Sequence, residues 1–388
     1  MQLMKKCACL LAFLIVGIKI IAQPITEQQA VELALKNYPS VRLADLETRQ
    51  RKALERTAFN PSQPQVAVET PADVGIGIEF QQQFAFPSVY GKRSKWLKSQ
   101  TRLASEAANL TRRELTQAVR LGYLEAQAAQ SKARFLEKQD SLWRDIAASS
   151  RRLFDGGQIN KADLLFAERQ SGLLALNLAQ ASADAANALA NLTLFTGETA
   201  IQVADLQALE FQNADTAAAF YFEKYLAELQ QTAQSEIAVR QSERLPGVVL
   251  GYTRVADIDT EIRNRIRVGV TVPIWQGQYK GEIDAAKIAL ESAQAQTALQ
   301  RRQAQATRLQ RLQTLAQTSR SLDWFENQGL AQAEELATTS RRLYEGGEFD
   351  YVLMLRNVAD AFDVQNQYVE TLRRHNEAVI ELEFLNGK

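Results

Sequence analysis

Residues able to carry chemistry are few in this sequence. His375 is the only histidine, and the two cysteines, Cys7 and Cys9, both lie near the N-terminus. After Met4 the only methionine is Met354. A soft-metal site needs thiolate, imidazole or thioether ligands in a group, and this set is too small to supply one. His375 falls in a polar helical stretch and reads as a solvated side chain rather than a ligand. Two Gly-Gly pairs, Gly156-Gly157 and Gly346-Gly347, lack the preceding strand and the lysine of a phosphate loop. No catalytic constellation, cofactor or metal is therefore expected. What remains is charge in repeated positions. Ser150-Arg151-Arg152-Leu153-Phe154-Asp155-Gly156-Gly157 recurs as Ser340-Arg341-Arg342-Leu343-Tyr344-Glu345-Gly346-Gly347. Glu79, Gln81 and Gln83 alternate along one short stretch, and Arg263, Arg265 and Arg267 along another.

The elements that position these residues can be read from periodicity. Each repeated stretch closes a long Ala/Leu/Gln/Arg-rich run and breaks at paired glycines, the mark of a helix C-terminus and tight turn. From Pro87 to Gly156, Leu115, Val119, Gly122, Ala126, Ala129, Ala133 and Leu136 recur at alternating steps of four and three, a coiled-coil seam. At ~1.5 Å per residue that run spans roughly 100 Å. The second run continues to Gly346, starting 73 residues earlier at Pro273, against 69 from Pro87 to Gly156. The surplus of four is close to one helical turn. Thr26-Glu27-Gln28-Gln29 forms a capping box before the first helix, Pro39 interrupts that helix, and pattern resumes from Val41 to about Phe59. Helical pattern also runs from Ala217 to Glu243. Trp143 and Trp324, within helices, read as packing residues.

Between helices the period changes to two. Val66 and Val68 alternate with Gln65, Ala67 and Glu69; after a turn at Pro71-Ala72-Asp73, Ile76, Ile78, Phe80, Phe84 and Phe86 share a side that only Gln82 breaks. Val248, Leu250 and Tyr252 alternate likewise, and beyond a turn near Asp257-Ile258-Asp259 so do Ile262, Ile266, Val268, Val270 and Val272. The chain is thus mostly α with a small β part: helix, two strands, long helix, tip and helix, twice over. Residues 23–205 form the first repeat, with strands at about 65–87 and a tip at about 153–160. Residues 206–388 form the second, with strands at about 247–273 and a tip at about 343–350.

Residues 1–22, with Lys5 and Lys6 before an apolar run ending at Ala22, read as a secretory signal peptide rather than an anchor. Without Lys5, Lys6 and Lys19, the 45 basic residues fall to 42 against 45 acidic ones, so nucleic acid is not an expected partner. Four strands cannot close a barrel alone. One side apolar and ending in aromatics (Phe84, Phe86, Trp275, Tyr279), the other polar, is nevertheless the pattern of an outer-membrane barrel strand. Two copies would give a filled interior and three an open lumen; the hydrophilic inner faces favour three.

These residues resemble the TolC family of outer-membrane factors, the exit ducts of tripartite efflux pumps and type I secretion systems. The likeness rests on Ala30-Val31-Glu32-Leu33-Ala34-Leu35-Lys36-Asn37-Tyr38-Pro39, Val270-Thr271-Val272-Pro273-Ile274-Trp275-Gln276-Gly277 and Tyr344-Glu345-Gly346-Gly347, in that order and spacing, over essentially all of the mature chain. It implies a homotrimer with a twelve-stranded barrel in outer-membrane lipid, and a long α-helical tunnel reaching into the periplasm. It also implies passive conduction, with a periplasmic adaptor (membrane fusion) protein and an inner-membrane transporter as partners.

In the family, tip residues hold the entrance closed and carboxylates there ring the pore. Asp163 occupies such a position in the first repeat, whereas the second carries Leu353 and Arg356; Asp350, or a pairing of Arg356 with Asp163, would have to substitute. The expected tip and gate residues are Arg152, Asp155, Gly156, Gly157, Asp163, Arg342, Tyr344, Gly346, Gly347, Asp350 and Arg356. The expected lumen residues are Glu79, Gln81, Gln83, Arg263, Arg265 and Arg267. Arg151, Arg152, Arg341 and Arg342 also suit a helix C-terminus on local grounds. The rival reading is a soluble periplasmic coiled-coil adaptor or scaffold, but an adaptor has one hairpin interrupting β-rich domains, and this chain has two and no such domains.

Overall fold

A computed structural model describes residues 24–69, 76–198, 201–211, 220–256 and 262–387. The expected signal peptide and both expected strand-connecting turns lie outside them. The chain opens with α1 (Glu27–Asn37), whose capping box forms as the sequence predicts: the Gln29 N–H donates to Thr26 Oγ1 (3.2 Å) and the Thr26 N–H to Gln29 Oε1 (2.9 Å). Pro39 both ends α1 and starts α2 (Pro39–Leu54), because a proline needs no helical N–H at the first position. Strands β1 (Gln65–Glu69) and β2 (Ile76–Phe84) follow, then α3 (Pro87–Asp155), α4 (Lys161–Thr196) and α5 (Glu223–Ser242). β3 (Gly247–Ala256), β4 (Ile262–Thr271), α6 (Gln276–Trp324), α7 (Leu330–Glu345) and α8 (Tyr351–Leu385) complete it.

The 69-residue α3 is the spine. Its predicted seam is buried at Leu115, Val119, Ala126, Ala129 and Leu136. The upper part of that seam packs on Ala30 and Ala34 of α1, Val41 of α2, and Ala185, Ala188 and Leu192 of α4. The small residues bring the helices close. Toward the tips, α3, α4 and α8 share a second cluster around Trp143, Leu174, Tyr351 and Leu355, which joins the two repeats. Toward the sheet the helices run side by side in the order α2, α3, α5, α6; toward the tips the order is α4, α3, α8, α7. Arg120 on α3 ties the ends of the fold together, donating to Glu27 of α1 and to Glu383 of α8 (2.8 Å).

The four strands form one antiparallel sheet in the order β1-β2-β3-β4, so the two repeats' hairpins meet at β2 and β3. The outer strands β1 and β4 are edges.

Four expectations are corrected. The second long helix is not continuous. A π turn at Phe325–Gly329 separates α6 from α7, and the pieces of 49, 5 and 16 residues total one more than α3. The other three surplus residues, Pro273 to Trp275, lie before the helix begins. The π turn adds a residue without turning later side chains out of phase. Second, α5 begins at Glu223, with Phe220 and Phe222 stacked (centroids 5.3 Å apart) in a turn ahead of it; Ala217, the expected start, lies outside the described residues. Third, His375 is only 8% exposed, not solvated. Residues 201–211 cover it, with Nε2 donating to Leu209 O (3.0 Å) and Nδ1 facing Thr318 Oγ1 (3.4 Å). Its neighbour Asn376 accepts from the Leu209 N–H and donates to Gln207 O. Fourth, Trp143 is fully buried as a packing residue, but Trp324 stands 45% exposed against Phe325 and over Gly329.

Candidate functional site

Both tips are built the same way. In the first, Gly156 caps α3, Gly157 takes φ 72°, and the Gly157 and Gln158 N–H groups donate to Phe154 O (2.9 Å) and Leu153 O (2.8 Å). In the second, Gly347 takes φ 78°, and the Gly347 and Glu348 N–H groups donate to Tyr344 O (3.0 Å) and Leu343 O (2.9 Å). Each is a Schellman ending, whose left-handed position any residue with a Cβ occupies at a cost.

The next helix starts differently in the two repeats, which accounts for the asymmetry seen in the sequence. In the first, neutral Asn160 is the N-cap, and Asp163 three residues on accepts from its N–H (3.2 Å). In the second, Asp350 is itself the N-cap, accepting from the Leu353 N–H (2.8 Å). Each tip therefore carries a carboxylate at the start of its return helix, in the first turn at Asp163 and at the N-cap at Asp350, where the helix dipole favours it.

An aromatic before the glycines meets the first residue of the return helix in both copies. Lys161 Nζ lies 5.1 Å from the Phe154 ring centroid, and Tyr351 lies 5.1 Å from Tyr344. Tyr351 does more than stack. It reaches into the other repeat, where its O–H and Ser150 Oγ are 2.5 Å apart. Ser150 gives its own proton to Ile146 O (2.8 Å), so Tyr351 is the donor. Neither Ser150 nor Tyr351 was singled out from the sequence. Ser150 does head the repeated stretch, and Tyr351 stands where the first repeat has Lys161.

The structure thus brings Asp163 of one repeat toward Tyr344 and Tyr351 of the other. Burial, and secondarily the negative charge of Asp163, push the Tyr344 phenol above its ordinary range. Burial raises Tyr351 as well, with the neighbouring Tyr344 and Asp163 adding to it. Tyr221, in the turn before α5 and against Phe384, is pushed up to about 12 by burial and by the Glu114 charge. Unfolded tyrosines ionise near pH 10. From there upward the unfolded chain holds fewer protons than the folded one, so stability falls as pH rises from about 10 toward 12. Thermal melts across that range are expected to show the fall, and Tyr221→Phe to reduce it.

Arg356 is exposed and forms no ion pair among the described residues, so it is not paired with Asp163 within the chain. Arg152 donates to Ser149 Oγ (2.9 Å), Arg151 pairs with Glu168, and Arg341 pairs with Glu345 (3.2 Å). Arg342 and Asp155 are exposed. Between α3 and the α7–α8 pair, a groove of about 650 Å³ runs behind the tips, lined by Leu142, Ile146, Leu153, Tyr344 and Phe362 among others.

The register of the sheet sorts its faces as predicted. Gln81 stands opposite Gly251, which stands opposite Arg267; Glu79, Thr253 and Arg265 form the next row, and Gln83 lies on the same face. Arg267 crosses Gly251 to pair with Glu79 (2.7 Å). A Cβ at Gly251 would lie 3.3 Å from the Arg267 Cβ, so the glycine leaves the room for that crossing. Arg263 belongs to the same face by register, and its side chain lies outside the described residues. The other face is apolar and open: Val66, Ile78, Phe80, Leu250, Val268 and Val270 are all exposed, and Ile266 is 83% exposed. Its polar members are Gln82, Tyr252, Asn264 and the exposed Arg254, which shares a row with Ile78 and Asn264. Gln82 donates to Ser62 O (2.6 Å), and Asn264 accepts from the Tyr252 hydroxyl (2.9 Å).

No protein-family model matches the sequence, and no curated protein matches it. Solved structures do. The outer membrane protein VceC of Vibrio cholerae aligns over 93% of this chain and 96% of its own, with TM-score 0.79 and 14% identity. The CmeC outer membrane channel of Campylobacter jejuni aligns over 93% and 85%, also with TM-score 0.79 and 14% identity. The open state of the MtrE outer membrane channel of Neisseria gonorrhoeae gives 93%, 88%, 0.73 and 13%. Together with the duplicated hairpins and the two-faced sheet, these alignments show that the chain has the fold of the outer-membrane channels.

Proposed function

We propose that this chain is an outer-membrane factor of the TolC type: a passive duct of a tripartite efflux pump, working as a homotrimer without catalysis. The observation that carries the reading is the sheet. A broad apolar face open to the surroundings, backed by a polar face and bounded by two unpaired edges, is unfavourable in water and suits a wall between lipid and a wet lumen. Three copies joined β1 to β4 give twelve strands. β3 and β4, of ten residues each, match the length of a tilted membrane strand. No described helix is long and apolar enough to cross a membrane, so in this reading the strands make the lipid contact. The helical array also has open edges. Leu176 and Leu194 on α4, Leu43 on α2, and Ile288, Leu299 and Leu309 on α6 are exposed, and neighbouring copies would cover them.

The tips, roughly 100 Å from the sheet by helix length, form the periplasmic entrance in this reading and meet the adaptor and the inner-membrane transporter. Membrane fractionation tests the duct against a soluble adaptor or scaffold. A heat-modifiable trimer is expected in the detergent-resistant outer-membrane fraction; recovery in the soluble periplasm would overturn the reading. For the gate, Asp163→Ala and Arg356→Ala are each expected to raise single-channel conductance in planar bilayers. Asp163 faces the opposite repeat's tyrosines, and Arg356 is free to pair with a neighbouring copy. Unchanged conductance would remove that residue from the gate.

A further inference from the structure

The polar face of the sheet carries an unbalanced charge. Its ionisable residues, by register, are Glu69, Glu79, Arg263, Arg265 and Arg267. Glu69 and Arg263 share one row across the sheet, one of each sign. Glu79 and Arg267 neutralise each other in an ion pair of 2.7 Å, with Glu79 only 12% exposed beneath the arginine. Arg265 has no counterpart. It is exposed, forms no ion pair among the described residues, and faces the small, buried Thr253 on β3. The rest of the face is neutral, with Gln65, Ala67, Gln81, Gln83, Val249, Gly251, Gly269 and Thr271 among its members. Among the paired strand residues, one net positive charge per chain therefore lies midway along β4, on the side away from the apolar surface.

We propose that the barrel lumen selects for anions over cations, with Arg265 as the specificity-determining residue and Glu79 setting how much of the Arg267 charge is felt. The inference rests on the reading of this sheet as one third of a barrel wall. In a closed trimer three Arg265 guanidiniums share one lumen backed by low-dielectric lipid. Charge of one sign in such a space concentrates counter-ions and repels co-ions. At 0.1 M salt screening extends only about 10 Å, so the effect is local to this ring and strongest on the dilute side. Anionic solutes, such as carboxylates and phosphates, are the class this wall favours.

The test uses the full chain reconstituted in planar bilayers across a tenfold KCl gradient, with the reversal potential as readout. The wild type is expected to show chloride preference, and Arg265→Gln to lower the chloride-to-potassium permeability ratio roughly twofold. Arg265→Lys, which keeps the charge, is expected to preserve it. Breaking the ion pair from either side should act in opposite directions: Glu79→Gln raises the ratio by freeing Arg267, and Arg267→Gln lowers it by exposing Glu79. A merely structural role for the pair would move both variants the same way. An unselective or cation-preferring wild type, or Glu79→Gln and Arg267→Gln shifting together, overturns the proposal. Failure to observe any channel would instead overturn the duct reading beneath it.

Discussion

Trp143→Ala is expected to destabilise the folded chain by about 3 kcal/mol, toward the lower end of what truncating a buried tryptophan costs. Trp143 is 0% exposed and sits where α3, α4 and α8 converge, so the cavity would open between the two repeats rather than inside one hairpin. Its indole N–H is buried without a partner among the described residues, and removing that donor offsets part of the packing loss. Denaturant titration of the detergent-solubilised protein, followed by helical circular dichroism, measures the effect. A loss below about 1 kcal/mol would mean that the cluster does not hold the hairpins together. Trp324→Ala, at a half-exposed position, serves as the contrast and is expected to cost much less.

The second large effect is at the joint between repeats. A Cβ on Gly247 would lie 2.8 Å from the Phe84 carbonyl oxygen and 2.6 Å from Thr271 Oγ1. The threonine hydroxyl can rotate away, but the carbonyl belongs to the β2–β3 ladder, where Phe84 pairs with Val248. Gly247→Ala must therefore pry apart the seam that makes two hairpins into one sheet, and Gly247→Val more so. Overpacking of this kind costs typically ~1–3 kcal/mol at a single site, and each trimer would suffer it three times. The expected result is loss of most heat-modifiable trimer from the outer-membrane fraction. Gly251→Ala, whose Cβ would meet the Arg267 Cβ at 3.3 Å, should retain most of it. Normal trimer yield in Gly247→Val would show that the seam tolerates being opened.

Much of this fold is legible because it is written in local chemistry. The capping box at Thr26, the Gly-Gly endings and the strict alternation of β2 and β4 depend on neighbours a few residues apart, and all three form as read. Gln82 in β2 and Asn264 in β4, which interrupt the apolar side, sit on that face as the period demands, satisfied by Ser62 O and by the Tyr252 hydroxyl. The misreadings share a cause. His375 looks solvated on its own helix because the segment that buries it lies 166 residues away. The bond between Ser150 and Tyr351 spans 201 residues and two repeats, and no periodicity announces it. Trp143 and Trp324 are alike in sequence context and differ only in which face another helix covers. At the tips, the repeat shows where the turns lie; only the geometry shows Asp350 as the N-cap itself and Asp163 as the third-residue half of a capping box with Asn160.

The π turn at Phe325–Gly329 has a consequence for how this chain tolerates changes in length. Elsewhere in α6, deleting one residue would rotate everything beyond it by about 100° and carry the apolar stripe of α7 away from α8. Within the π turn the same deletion would restore an ordinary helix and leave the downstream stripe in phase. Gly329 already gives way to the Trp324 ring, whose atoms would stand 2.6 Å from a Cβ there. The turn works as an expansion joint. It lets the second half of a duplicated chain differ by one residue in length from the first while both glycine turns still end in the same orientation.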